Sequence, residues 1–298
     1  MELSIIVVNW NTCGLLKKCL RSIHDTVCKS SLEIIVVDNG SNDGSVEFVQ
    51  EYFPQVKLID NQENLGFARA NNQAIRASNG KFILLLNSDA FLTPNAVQEM
   101  IRLMNGNPEI GIVGASLFYP DGRPQLSHGP IPTLRTEIWS LAGLDKVGSR
   151  INQRRSRVSF LETGTVSGAC LLVRRTLLNE IGLLDENFFM FSEEVDLCHR
   201  AHKVGWKVVY LPTARVIHVG GGSTGVTAER ILMLYHGKLQ YYSKHFDDRV
   251  AHRLLAVMKL ITTLKVKVYL LKKMLRPECG KKAQLWREVA DGLGNLKV

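Results

Sequence analysis

The chain lacks an apolar run of spanning length, paired cysteines, a dinucleotide fingerprint and internal repeats, and each absence narrows its class. No stretch approaches the roughly 18 apolar residues of a spanning helix. The early run at residues 3–8 is stopped by Asn9, follows Glu2 and has no basic residue ahead of it, so no secretory signal is expected. A protein that works in solution or lies on a surface is the expectation. Six cysteines (Cys13, Cys19, Cys28, Cys170, Cys198, Cys279) show no CxxC pair and no metal-ligand spacing; they read as reduced, structural thiols in a cytosolic setting. The first turn is Asn9-Trp10-Asn11-Thr12-Cys13-Gly14 in place of GxGxxG, which removes the pyrophosphate seat of a nicotinamide enzyme. Positive charge gathers late in the chain without an aromatic stacking platform, which argues against a nucleic-acid partner.

What is present is ordinary globular material. The 298 residues are 45% hydrophobic and 22% charged, enough for one large or two modest domains. The net charge of +9, from 37 basic and 28 acidic residues, favours an anionic partner such as nucleotide phosphates or a membrane surface. Short apolar runs at 3–8, 32–37, 56–59, 82–86 and 110–115 alternate with helical spacings, including 67–77 and a helix capped by Thr93-Pro94 that runs to about 104. That alternation predicts a parallel, doubly wound α/β sheet. Residues 116–160 read as an irregular connection, with basic and polar residues at 150–157. A strand-like run is expected at 163–173, helices at 176–181 and 195–204, and strands at 206–211 and 214–219. Beyond them, Leu254, Val257, Met258, Ile261, Leu264, Val268, Leu271 and Leu275 follow helical spacing. Residues 249–276 hold eight Lys or Arg and no acid. Such a helix either lies on an anionic membrane surface or packs on the domain with a solvated basic face.

Four groups carry candidate chemistry. Asp38 ends the second run, placed to accept hydrogen bonds from a nucleotide base or ribose, or only to cap the turn at 39–45. Gly66, in Asn64-Leu65-Gly66-Phe67-Ala68-Arg69, permits close backbone approach before a helix N-terminus that favours an anion, with Arg69 in reach of a phosphate; a simple turn into an Ala-rich helix explains it as well. Asp89 follows the run at 82–86 and Asn87-Ser88, at the strand edge where ligands of open α/β sheets bind. A carboxylate there suits a divalent cation held against a phosphate. His218, ahead of Gly220-Gly221-Gly222 with Ser223 and Thr224, is a candidate to complete that site. Imidazole, carboxylate and diphosphate oxygens suit Mn²⁺ or Mg²⁺, and Mn²⁺ tolerates nitrogen better. The plainer alternatives are a helix cap for Asp89 and a structural imidazole for His218. Last come Glu193, Glu194 and Asp196, whose mutual repulsion and apolar surround should raise at least one pKa, as a general base needs. A helix start stabilised by the macrodipole is the other reading. Both hold together if Glu193 or Asp196 caps while Glu194 points into a cleft.

In this order, Val37-Asp38-Asn39-Gly40-Ser41, Asn64-Leu65-Gly66-Phe67-Ala68, Leu86-Asn87-Ser88-Asp89-Ala90, Ser167-Gly168-Ala169, Glu193-Glu194-Val195-Asp196-Leu197 and His218-Val219-Gly220-Gly221-Gly222-Ser223 resemble a family 2 glycosyltransferase. The bacterial rhamnosyltransferase-like branch is the most similar, over about residues 3–245. The resemblance implies an α/β GT-A fold, Rossmann-like and mostly parallel, with a nucleotide-sugar half at 1–115 and an acceptor and catalytic half at 160–245. Residues 246–298 form a basic helical extension outside it. It also implies inverting transfer of a sugar, rhamnose-like as the first choice, in cell-envelope polysaccharide biosynthesis. The donor would be a dTDP- or UDP-sugar, the acceptor a hydroxyl of a glycan or lipid-linked saccharide, and the metal Mn²⁺ or Mg²⁺. The implied location is cytoplasmic, peripheral on the inner face of the membrane. Donor contacts fall on Val8, Asn9, Asp38, Asn64, Gly66, Arg69, Asn87, Ser88 and Asp89, and metal contacts on Asp89 and His218. The base falls on Glu194, with Glu193 beside it, and the acceptor side on Gly168, Ala169 and Asp196. Two positions depart from the family pattern. Asn87 stands where many relatives carry the first Asp of the metal motif, and Glu194 replaces a commoner Asp. Asn87 leaves open a non-catalytic nucleotide-sugar or glycan-binding subunit with a degenerate metal site. A nucleotidyltransferase is a third reading, with no use for Glu194 and His218 together.

Overall fold

The computed structural model describes residues 1–27, 32–141, 159–220, 227–276 and 278–296. Its sheet grows from β1 (Leu3–Asn9), which lies between β2 (Leu32–Asn39) and β4 (Phe82–Asn87) and runs parallel to both. Helices cover both faces, so the strand is apolar throughout instead of alternating. Ile5 and Val7 join one core with Leu16, Leu20 and Ile23 of α1 (Cys13–Thr26). Ile6 joins the other, with Ile35, Val37 and the alanines Ala70 and Ala74 of α3 (Phe67–Arg76). Both helix faces were legible as 3.6-residue spacing. The short helix α2 (Ser45–Tyr52) leads to β3 (Lys57–Asn61), which continues the parallel set beyond β2.

Past β4 the order becomes β10-β6-β11-β5, with β8 also paired to β11. Here β6 (Ile110–Phe118) and β11 (Lys207–His218) are parallel, while β10 (Cys170–Arg174) runs antiparallel between β4 and β6. The strands expected at 206–211 and 214–219 are one strand. Pro212 has no N–H to donate, so the ladder breaks between Leu211 and Arg215, and β6, longer than expected, pairs with both halves. The run expected at 163–173 is instead divided into β8 (Leu161–Glu162), β9 (Thr165–Val166) and β10, interrupted by Gly164 and by Ser167-Gly168. Thr93-Pro94 does not cap the next helix. α4 (Ala96–Gly106) starts after Asn95, which sits at φ 67°, and the Thr93 hydroxyl donates to Arg215 O at 2.7 Å. Within the connection expected to be irregular, β7 (His128–Gly129) pairs with β9, and α5 (Leu134–Leu141) follows. The basic stretch at 150–157, Cys28, and Gly221, Gly222, Ser223 and Thr224 lie outside the described residues.

The chain divides into two compact units. The first, Met1–Ile131 with Arg155–Phe189 and Glu193–Ser223, holds the nine-stranded sheet, α6 (Arg175–Ile181) and α7 (Glu193–Lys203). The second, Pro132–Arg154 with Met190–Ser192 and Thr224–Val298, is helical: α5, α8 (Ala228–His245), α9 (Asp248–Leu275) and α10 (Cys279–Asn295). Within the helical unit, the side chain of Glu137, a buried residue, pairs with Lys238. Gly237 admits the Phe191 carbonyl, which would stand 2.5 Å from any added Cβ. The apolar residues expected on one face of α9 do not share one fate: Leu254 and Met258 are buried, whereas Leu264, Val268 and Leu271 are exposed. Among the described residues no helix is long and apolar enough to cross a membrane.

One buried cation joins the sheet to its flanking helix. Arg174, ending β10, donates to Met104 O (2.7 Å) and Asn107 O (3.2 Å) at the end of α4 and to Ile110 O (3.0 Å) at the start of β6. Arg174→Leu leaves those oxygens without their donor and should cost roughly 3 kcal/mol, read as a lower urea midpoint with an unchanged slope.

Candidate functional site

The carboxyl ends of β1, β2 and β4 lie side by side, with Val8 in register with Val37 and Asn87, and Asn9 with Asp38. Polar side chains there form one hydrogen-bond chain. Asp38 accepts from Ser41 N–H (2.7 Å) and from the Asn9 amide (2.8 Å). Asn9 in turn accepts from Thr12 (2.6 Å), whose hydroxyl meets that of Ser88 (2.8 Å). Asp38 is buried and takes the turn-capping role that the sequence left open, and so presents a fixed rim rather than a loose carboxylate. Thr12 and Ser41, which close the chain, carried no signal in sequence beyond being turn formers.

Asp89 and His218, distant in sequence, meet because β5 (Ala90–Leu92) pairs antiparallel with the end of β11, Ala90 opposite His218. Asp89 Oδ1 lies 3.2 Å from His218 Nε2, while its Oδ2 accepts from Gly220 N–H at 3.1 Å. Gln125 fixes the ring. Its amide nitrogen donates to the His218 carbonyl, which can only accept, so its Oε1 is the atom facing Nδ1 at 2.9 Å. An amide oxygen cannot donate, so Nδ1 carries the hydrogen and Nε2 is turned to the carboxylate. A metal-ligating imidazole needs this arrangement. Among the described residues no third His, Cys, Asp or Glu joins the pair. A cation bound there would take its other ligands from substrate oxygens or water. Asn87, two residues before Asp89, donates its backbone N–H to Ala169 O (3.0 Å), and its side-chain oxygen is buried without a partner among the described residues. Gln125 lies in a Pro- and Gly-rich stretch whose sequence gave no sign of it.

The three carboxylates of α7 separate by environment. Asp196 is fully buried and bound by Arg200 at 2.8 Å, which also reaches the Ile181 and Leu183 carbonyls. It is a structural ion pair, not the acceptor contact expected of it. Glu193 is buried, and its Oε2 has no partner among the described residues. Desolvation, then the neighbouring Glu194 charge, push its carboxyl well above the usual range. Glu194 is half-buried and lies against Gly168: a Cβ on Gly168 would stand 3.4 to 3.8 Å from its Cβ, Cγ and Cδ. Ala169 is already tied to Asn87, so Gly168 and Ala169 link Glu194 to the β4 end that carries Asp89. Phe191 and Ser192, which precede α7 in the chain, are both at positive φ (71° and 73°), a strained backbone costing roughly 1–3 kcal/mol per residue.

Other expected donor contacts have partners within the protein. Gly66 does approach backbone closely, but that backbone is the protein's own: Phe189 O accepts from Phe67 N–H at 2.6 Å and would sit 2.6 Å from a Cβ at Gly66. The first N–H of α3 is therefore taken. Asn64 holds the turn through Gly66 N–H (3.0 Å), and Arg69 lies 3.9 Å from Glu186, which Arg76 and Asn72 also bind. Burial pushes the Cys170 and Cys198 thiols up to about 12, so neither ionises at neutral pH, as expected of structural thiols.

Glu193 makes a pH prediction. Its carboxyl is raised in the folded state, so the unfolded chain loses that proton first, and stability falls as pH rises from about 4.5 towards the folded value. Glu193→Gln cannot ionise and should flatten this slope and raise Tm at pH 7; melting curves across pH 4–8 for both proteins measure it.

Residues 4–182 match the model of glycosyl transferase family 2. The N-acetylglucosaminyl-diphospho-decaprenol L-rhamnosyltransferase of Mycobacterium tuberculosis is 29% identical over 251 residues, covering 78% of this chain and 81% of the relative. The low-salt glycan biosynthesis hexosyltransferase Agl10 of Haloferax volcanii is 25% identical over 223 residues, 73% and 67% of the two chains. Among solved structures, the mannosyltransferase of Pyrobaculum calidifontis in complex with GDP-Man and Mn²⁺ shares the fold, with a TM-score of 0.59 at 14% identity over 98% of this chain and 86% of that one. Staphylococcus aureus TarS shares it as well, with a TM-score of 0.55 at 18% identity over 87% and 43%. The α/β sheet described above is thus that of the GT-A glycosyltransferases, and the chain belongs to glycosyl transferase family 2 and is a glycosyltransferase.

Proposed function

We propose that this enzyme transfers a sugar, rhamnose-like as the first candidate, from a dTDP- or UDP-linked donor to a hydroxyl of a glycan or lipid-linked acceptor, with inversion and with a divalent metal. What supports the reading is the Asp89–His218 pair two residues beyond Asn87, whose N–H donates to Ala169 O, with the neighbouring Gly168 packed against Glu194. The mycobacterial relative, by its name a rhamnosyltransferase of N-acetylglucosaminyl-diphospho-decaprenol, supports the sugar and the lipid-linked acceptor. The Pyrobaculum complex with GDP-Man and Mn²⁺ supports the donor class and the metal. Cell-envelope polysaccharide synthesis on the cytoplasmic side of the membrane is the setting that follows.

The division of labour follows from the side chains. The rim built by Asn9, Asp38, Thr12 and Ser88 shapes the seat of the nucleoside before the donor arrives, so little ordering is left to be done on binding. Asp89 and His218 Nε2 would hold a Mn²⁺ or Mg²⁺ ion, which supplies positive charge to the departing diphosphate. Glu194 takes the proton of the acceptor hydroxyl as that oxygen attacks the anomeric carbon from the side opposite the diphosphate. Gly168 packs beside the base, where an added Cβ would stand in ordinary contact with the Glu194 side chain at 3.4 to 3.8 Å. Burial and the neighbouring Glu194 charge both push the Glu193 carboxyl towards its neutral form, which disfavours a second negative charge next to the base.

Glu194→Gln should retain donor binding while kcat falls by about 100-fold or more, and Glu193→Gln should stay active; the reverse outcome moves the base by one residue. Asp89→Ala should abolish metal-dependent release of nucleoside diphosphate from dTDP-rhamnose or whichever sugar a donor screen selects. Retention of full turnover in that variant would remove the metal assignment. Gln125→Ala frees the ring and should weaken Mn²⁺ binding by roughly 10- to 100-fold, read by calorimetry without acceptor.

A further inference from the structure

Helix α9 is built with two apolar faces. Ala251, Leu254, Leu255, Met258 and Thr262 are buried in the helical unit. Farther along, Lys265 lies over the Trp286 ring of α10 at 4.2 Å, and Lys282 reaches the Tyr269 ring at 5.9 Å, so that line of residues keeps facing α10 to its end. On the opposite side stand Leu260 (61% exposed), Leu264 (50%), Val268 (45%), Leu271 (65%) and Met274 (82%). At 100° per residue these five fall within about 120° of one another, a single stripe some four turns long. A solvated helix has no use for a row of this kind, and isolated surface leucines do not line up in this way.

The charge around the stripe selects its occupant. Residues 249–276 carry Arg249, Arg253, Lys259, Lys265, Lys267, Lys272, Lys273 and Arg276, and no acid. Lys267 lies within the stripe and Arg253 extends its line, while Lys259 and Lys272 flank it; all four are exposed. A second copy docked through the same face would set like charge against like charge. A nucleic acid would meet leucines where it needs donors and stacking rings. An anionic bilayer takes both features at once: acyl chains receive the apolar side chains, and headgroup phosphates receive the cations.

We propose that the stripe Leu260, Leu264, Val268, Leu271 and Met274, with its lysine flanks, is a docking face by which the protein lies on an anionic membrane surface. This deepens the lipid-linked acceptor reading above and rests on it for its purpose, but not for its geometry.

The test is flotation of the full-length protein with vesicles of phosphatidylcholine alone or with one-third phosphatidylglycerol. Binding is expected on the anionic vesicles only, weakening as salt rises. The exposed positions tolerate polar residues, so L264S/L271S/M274S should stay folded. It should bind at least tenfold more weakly, since each long apolar side chain that stays in water forfeits a contribution of that order. K267E/K272E/K273E should lose the anionic preference. Equal binding to both vesicle types, or unchanged binding in both variants, overturns the proposal. So does a dimer in ultracentrifugation that the serine variant dissociates. Donor hydrolysis in solution is measured in parallel: its absence from the wild-type protein would sink the transferase reading and leave vesicle binding untouched, whereas normal hydrolysis without vesicle binding sinks the docking face alone.

Discussion

The site exists because three residues of β5 pair antiparallel with the last turnless stretch of β11. That short ladder sets Ala90 opposite His218 and so delivers an imidazole to a carboxylate 129 positions earlier in the chain. Backbone bonds then fix both partners: Val219 N–H donates to the Asp89 carbonyl at 3.0 Å, and Gly220 N–H to its side chain. The pair is a consequence of sheet register, so a slip of one residue along β11 would turn His218 to the other face of the sheet. The interruption of β11 at Pro212 matters for the same reason, because the shift between Leu211 and Arg215 sets the register of everything that follows it.

Within a single helical turn, α7 shows how environment assigns roles to similar carboxylates. Arg200 pairs with Asp196, burial raises the Glu193 carboxyl well above its usual range, and Glu194 alone stands half-buried against a glycine. Separating carboxylates in this way is a common route to one defined base near neutral pH. The two residues before the helix, Phe191 and Ser192, both sit at positive φ.

The His218 ring is positioned in a comparable manner from outside the motif. Gln125 uses its two amide atoms on two different atoms of one residue, the carbonyl and Nδ1 of His218, which leaves the ring a single orientation. Rigid placement of this kind separates a usable ligand from a side chain that is merely nearby.

The sequence by itself determined the α/β alternation, the strands that reach the ligand edge and the identity of Asp89, His218 and Glu194 as candidates. These follow from local rules: apolar runs too short for helices, 3.6-residue spacing, and turn formers after each strand. Only the tertiary structure decided the rest. It merged two apparent strands into one, gave Asp38 to a turn and Asp196 to Arg200, and set Gly66 against the Phe189 carbonyl. It also showed that one apolar helix has an inward and an outward face. The physical reason is common to all of these. Periodicity records that a residue avoids or seeks water, whereas partners, register and which apolar face is covered depend on groups a hundred or more residues away.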